Sequence, residues 1–243
     1  MELSAYSIIL LAIAAFLTGV NKTGFPGLGI IVVIILPMIM PAKASTGYLL
    51  PLLIFGDIAA VCYWRNQALW KVIGRLMPWV VIGIIIGFFL MNMIPDESYS
   101  HIFGAIIVIL FSLDMARRYF NIPIPMGKSG VTAFLGTLAG IMTMMINAAG
   151  PVMILYLLAM DISKEHFVAT CAWTYFIFNL VKLPLSYSQG LITAESLMLN
   201  FKAAPFVLLG GIVGIIFMNK IPTKYFNTAI RVFTFLGAIK LFF

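Results

Sequence analysis

Two short stretches of this chain combine helix breakers with hydrogen-bond donors. Asn21 to Gly29 reads NKTGFPGLG, and Ile146 to Pro151 reads INAAGP. Glycine and proline interrupt a helix, and a helix restarting at Gly27 or Pro151 presents N–H groups without intrahelical partners at the positive end of its dipole. Such an end favours an anion by about 0.3–1 kcal/mol at a surface and by up to about 2 kcal/mol when partly buried. Asn21, Lys22 and Thr23 add side-chain donors beside the first break, and Asn147 does so beside the second. The chemistry that suits this set is capture of a small anion, with Gly24, Gly27, Gly29, Gly150 and Pro151 shaping the backbone around it. Either motif alone reads equally as a tight turn, and Lys22 alone as an interfacial charge at a span end. Their paired occurrence in the two halves of the chain favours the binding site.

Ionisable residues inside apolar runs form a second group. Each costs roughly 2.5–3.5 kcal/mol at a span centre and so calls for a reason. Asp57 and Lys182 are expected either to face a polar cavity, with Asp57 taking up a proton for coupling, or to form structural ion pairs. Arg231 reads as a paired or snorkelled charge. Thr46 and Thr170 correspond between the halves, and Asn179 shares a segment with Thr170, so these three join the candidate substrate-binding set. Ser and Thr within spans also commonly bond to their own helix or a neighbour.

Other chemistries find little support. Cys62 and Cys171 form no CxxC pair, which argues against a disulfide framework, a thiolate metal site or a transmembrane thiol carrier. His101 and His166 fall near opposite membrane faces, unsuited to haem ligation or to a buried catalytic base. No GxxxxGK[ST] loop is present, which argues against a primary pump. No catalytic residue, cofactor or metal is expected.

The elements that must position these residues are membrane spans. The chain of 243 residues is 63% hydrophobic and only 9% charged, so its solvent is largely lipid. The net charge of +7 gathers at the ends of apolar runs, where it orients a membrane protein rather than binding nucleic acid. Ten segments are expected, at 3–20, 27–40, 44–64, 74–94, 98–116, 129–147, 150–160, 166–186, 201–220 and 225–243. The first is read as a retained span, since no Lys or Arg precedes it. The second and seventh fall short of the roughly 20 residues that cross the hydrocarbon, as half-helices or re-entrant segments would.

Charge placement selects ten crossings with both termini outside. The inside loops then hold Lys22; Arg65, Lys71 and Arg75; Arg117, Arg118 and Lys128; Lys164; and Lys220 and Lys224. The outside receives Lys43 and Lys202 with Glu2, Asp96, Glu97 and Glu195. Trp64, Trp70 and Trp79 read as interfacial anchors.

The chain also reads as one unit written twice. MNMIP at 91–95 returns as MNKIP at 218–222, and Pro78, Gly83 and Gly87 return as Pro205, Gly210 and Gly214, always 127 residues later. Nearer the start of each half an offset of about 124 fits better, pairing Thr46 with Thr170 and bringing Asp57 next to Lys182. Five segments per unit is odd, so the units are inverted, and their flanks are charged accordingly: DESY follows the first motif and TKYF the second. The fold class is therefore all-α, a polytopic membrane protein in a single domain over 1–243. Repeat one spans 3–116 and repeat two 129–243, with two of the ten segments short or broken. Paired broken segments in inverted repeats point to a transporter's binding site. The Gly83–Gly87 and Gly210–Gly214 pairs read as helix contacts.

The glycine-rich break, the paired short segments and the doubling resemble the TauE/SafE sulfite exporter family of membrane permeases. The run NKTGFPGLGIIVVIILPMIMPAKASTGYLLPLLIFGDIAAVCYWRN carries most of the likeness, which covers the whole chain. The resemblance implies transport of sulfite, sulfoacetate or a related small anion across a bacterial inner membrane, coupled to an H+ or Na+ gradient. It also implies that 24–29 and 147–151 form the substrate site. A passive anion channel would share the same donors and dipoles. The expected partners are thus a small anionic substrate, lipid and a coupling ion.

Overall fold

The computed structural model describes residues 4–95 and 129–242, with isolated helical positions between 98 and 112. The expected fifth segment, the basic residues Arg117, Arg118 and Lys128, His101 and the acidic Glu2, Asp96 and Glu97 lie outside the described residues or among those isolated positions.

Among the described residues the chain is helical, without strands. An apolar solvent leaves no other open-ended solution, because backbone polar groups must be satisfied within the segment. The helices are α1 (Ala5–Thr23), α2 (Gly29–Ile35), α3 (Ala42–Trp64), α4 (Trp70–Leu90), α5 (Ser129–Ile146), α6 (Gly150–Leu158), α7 (Lys164–Ser188), α8 (Ala194–Lys220) and α9 (Thr223–Phe242). Short 3₁₀ turns at Pro26–Leu28 and Leu36–Met38 flank α2. Six of these helices, α1, α3, α4, α5, α7 and α8, are long and apolar enough to cross a membrane. With 9 residues, α6 extends only about 14 Å, roughly half of the hydrocarbon thickness.

Local chemistry sets many of the boundaries. Ser4 and Ser163 accept from backbone N–H groups three residues ahead and start α1 and α7, and Thr193 with Ser196 forms a capping box on α8. α1 runs through Asn21, Lys22 and Thr23, so Lys22 lies in its last helical turn and the break begins at Gly24. Asn147 ends α5 with a left-handed φ of 56°, a conformation asparagine tolerates better than most residues. Four spans carry an internal proline, Pro51, Pro78, Pro184 and Pro205.

The outer surface is apolar, and the largely apolar core encloses a few polar and charged side chains. Asp57 and Lys182 are fully buried, while Phe89, Leu209, Ile212 and Phe217 are exposed. Lipid covers such a surface, and the buried charges need protein partners.

Two close helix pairs frame the bundle, α1 with α8 and α4 with α5. Glycine permits both approaches. A Cβ on Gly210 would lie 1.9 Å from the Phe16 carbonyl oxygen, and one on Gly83 would lie 2.1 Å from that of Thr137. Gly214 abuts Val20 and Thr23, and Gly87 abuts Ile141 and Met144. The expected small-residue faces are thus helix contacts. Between the two pairs, α3 packs against α7.

Trp64 departs from its expected place at the interface. It is buried, and its indole N–H donates to the Thr23 carbonyl at 2.9 Å. The end of α1 leaves carbonyls without intrahelical partners, and Trp64 satisfies one of them. Trp70 and Trp79 do have exposed faces.

Candidate functional site

The two breaks face each other at the middle of the bundle. The nearest atom to a Cβ built on Gly150 would be the Pro26 carbonyl oxygen, 3.4 Å away. Between them lies a cavity of about 40 Å³. A single water needs about 10–15 Å³ measured in this way, so the space suits a few waters or one small ion.

The first break is held by its own side chains. Asn21 Oδ1 accepts from the Gly29 N–H at 2.7 Å, so the entry to α2 is capped from within. Thr23 Oγ1 donates to the Gly211 carbonyl at 2.8 Å, and Gly24 sits so close to Gly214 that a Cβ would lie 2.3 Å from its carbonyl oxygen. Thr23 and Gly24 therefore pack the end of α1 against α8 and do not line the cavity.

Lys22 is buried and forms an ion pair with Asp57, Nζ to Oδ1 at 2.7 Å. The other carboxylate oxygen accepts from Asn179 Nδ2 at 2.6 Å. The Lys22 ammonium also lies 4.9 Å from the centroid of the Tyr175 ring, within cation–π range. Gly56 leaves room for the Lys22 stem, since a Cβ there would meet Lys22 Cγ at 3.1 Å. The Tyr175 hydroxyl is buried beside the Cys171 thiol.

The second break is tied to α3 and α7. Lys182 Nζ donates to the Thr143 carbonyl at 2.9 Å, to Thr143 Oγ1 at 3.2 Å and to Asn147 Oδ1. Asn147 Nδ2 in turn donates to the Thr46 carbonyl at 2.9 Å, and Thr46 Oγ1 donates to the Met145 carbonyl at 3.1 Å. Three oxygen acceptors around one lysine nitrogen match the three donors of an ammonium group.

Backbone donors complete the lining. Among the described residues no acceptor engages the N–H of Gly27, Ala149 or Gly150. Gly27 and Ala149 are buried, and a buried N–H without a partner is rare in a folded protein. All three residues line the cavity, with Thr18, Asn21, Lys22, Gly29, Thr143, Asn147, Pro151, Tyr175 and Asn179.

Of the residues singled out from the sequence, Asn21, Lys22, Gly27, Gly29, Asn147, Gly150, Pro151 and Asn179 surround this space. Asp57 and Lys182 stand one bond behind it, on Lys22 and Asn147. Asp57 pairs with Lys22 rather than with Lys182. Thr46 braces the second break from behind. Thr170 lies elsewhere, its Oγ1 accepting from the Leu69 N–H at 3.0 Å in the loop before α4. Sequence reasoning missed Thr18, Thr143 and Tyr175. Thr18 precedes Lys22 by one helical turn and Tyr175 precedes Asn179 by one, so face periodicity would have found both.

No curated protein and no solved structure matches the chain. The family model for the sulfite exporter TauE/SafE matches residues 11–241. With that match over nearly its whole length, the chain belongs to the TauE/SafE sulfite exporter family of membrane transporters.

Proposed function

We propose that this chain is a secondary transporter that holds a small sulfur-containing anion, sulfite or an organosulfonate, between its two helix breaks. The observation that carries the reading is that Gly27, Ala149 and Gly150, whose backbone N–H groups no acceptor engages among the described residues, line one small cavity beside the buried Lys22. Preformed donors of this kind are what an oxyanion requires and a cation would avoid. The substrate set is Asn21, Lys22, Gly27, Gly29, Asn147, Gly150, Pro151 and Asn179. Tyr175, Thr18 and Thr143 are added to it, and Thr23, Gly24, Thr46 and Thr170 support the breaks and loops around it.

The transporter is built from two inverted five-segment repeats, 3–116 and 129–243, that cross a bacterial inner membrane ten times with both termini outside. The packing supports this. Gly210 meets Phe16 and Gly214 meets Val20, while Gly83 meets Gly140 and Gly87 meets Met144. The glycines convert into one another through the offset of 127 found in the sequence, and the carbonyls they abut, those of Phe16 and Val20 against Thr137 and Ile141, through a single offset of 121. In such a design the half-helices α2 and α6 meet near the bilayer centre, and rocking of the repeats about the site alternates access. Asp57 takes up a proton when a dianionic substrate claims Lys22, which couples transport of that charge form to a gradient.

Proteoliposome flux tests the function. Uphill movement of sulfite driven by an imposed H+ or Na+ gradient is the expected result. Purely dissipative flux would make the protein a channel. Asp57→Asn is expected to transport without dependence on the pH gradient; an unchanged response to that gradient would remove Asp57 from coupling.

A further inference from the structure

Among the described residues three charged side chains are buried, Lys22, Asp57 and Lys182. All three belong to the two clasps at the breaks. Both lysines have surroundings that suit an ammonium group. Lys22 lies against a carboxylate and over an aromatic face, and Lys182 donates to three oxygen acceptors. The surrounding elements bring two further titratable groups, Tyr175 and Cys171 of α7, a phenol and a thiol that are ordinarily uncharged at neutral pH. Arg231 on α9 lies off the cavity lining and is engaged in interactions of its own. The described acidic residues Asp161, Glu165 and Glu195 are outside the buried set.

Two buried cations against one buried anion leave a surplus of one positive charge beside the cavity. An unpaired buried charge is costly, by several kcal/mol per ion even after relaxation. Resting on the anion-site reading above, we infer that the site is electrically matched to an occupant carrying one net negative charge. A monoanion such as hydrogen sulfite or a sulfonate neutralises it alone, whereas a dianion enters only with one accompanying H+ or Na+. The protein thus selects the charge state of its substrate, and a co-ion is obligatory for dianions alone.

Calorimetry on the purified full-length chain in detergent tests this. Titrations in buffers of different ionisation enthalpy count the protons taken up per anion bound, and replacing sodium with choline shows sodium dependence. Nitrate and methanesulfonate serve as permanent monoanions, sulfate and thiosulfate as permanent dianions. The monoanions are expected to bind with no proton uptake and no sodium dependence. The dianions are expected to bind with uptake of one H+, their affinity falling about tenfold per pH unit as pH rises, or else with a requirement for one Na+. Sulfate binding that needs neither ion, at an affinity equal to or above that of nitrate, overturns the charge match while leaving the anion site standing. Failure of all four anions to bind overturns the anion site itself. Asp57→Asn raises the surplus to two and is expected to let sulfate bind without a co-ion. Should that variant not fold, the proton count on the natural protein decides the question.

Discussion

The Lys22 ammonium lies 2.7 Å from the Asp57 carboxylate, joining the last turn of α1 to the middle of α3. The same clasp recurs between α5 and α7, where Lys182 donates to Asn147. One step of 125 residues relates both pairs, from 22 to 147 and from 57 to 182, and it also carries Thr18 to Thr143. In each half, the long helix after the break reaches back to grip the helix end that precedes it. The polarity is reversed: the reaching residue is an acid in the first half and a base in the second. This exchange lets one carboxylate serve a site with two ammonium groups.

Breaking the first clasp from one side is expected to be severe. Lys22→Met leaves Asp57 buried without its cation, at a cost of about 3–5 kcal/mol. The double variant Lys22→Met/Asp57→Leu removes both charges and is expected to regain most of that loss. Thermal unfolding of the two variants in detergent checks this; a double variant less stable than Lys22→Met would show that the pair is not the source of the cost.

Glycine contacts give a cleaner stability test. Gly210→Ala forces a methyl group into the Phe16 backbone and is expected to cost at least the roughly 1–3 kcal/mol of ordinary overpacking. A Cβ on Gly74 would meet nothing within 4 Å, so Gly74→Ala is expected to gain up to about 1 kcal/mol from helix propensity. Unfolding midpoints of opposite sign relative to the natural chain are the outcome to look for.

The helices were largely legible in the sequence because their limits are local. Gly24, Pro26, Asn147 and Pro151 stop and start helices by their own backbone preferences, and Ser163 and Thr193 cap whatever follows them. Pairing was harder to read. That Asp57 meets Lys22 and not Lys182 depends on how α1 crosses α3, and no spacing within one segment encodes that crossing. Trp64 was misread for a related reason. Its position at a span end looks interfacial, but the adjacent break supplies a buried carbonyl that draws the indole inward. Thr46 and Thr170 correspond by offset yet do different work, since Thr46 borders the second break and Thr170 faces the loop ahead of α4.

Trp64→Phe keeps a buried aromatic ring and deletes the donor. The Thr23 carbonyl is then left without that partner, at a cost of about 1–3 kcal/mol if it stays buried. The end of α1 carries Lys22, so loosening it is expected to weaken sulfite binding as well as stability. Calorimetry beside thermal unfolding would reveal both losses; a stability change with unaltered affinity would confine Trp64 to a structural role.

Asn21 separates architecture from electrostatics most sharply. Its Oδ1 accepts from the Gly29 N–H, and its side chain lines the cavity. Asn21→Ala deletes the acceptor and is expected to cost about 0.5–2 kcal/mol, as loss of a helix cap does. Asn21→Asp keeps the acceptor and adds a negative charge facing the cavity. Its fold is expected to hold, because a carboxylate bonds a backbone N–H at least as strongly as an amide oxygen does. The added charge cancels the single positive surplus of the site, so nitrate and sulfite affinity should fall by at least tenfold, a loss of about 1.4 kcal/mol or more. Paired measurements of unfolding midpoint and anion affinity check both halves. An Asn21→Asp protein that folds and still binds nitrate at full strength would place the anion away from α2.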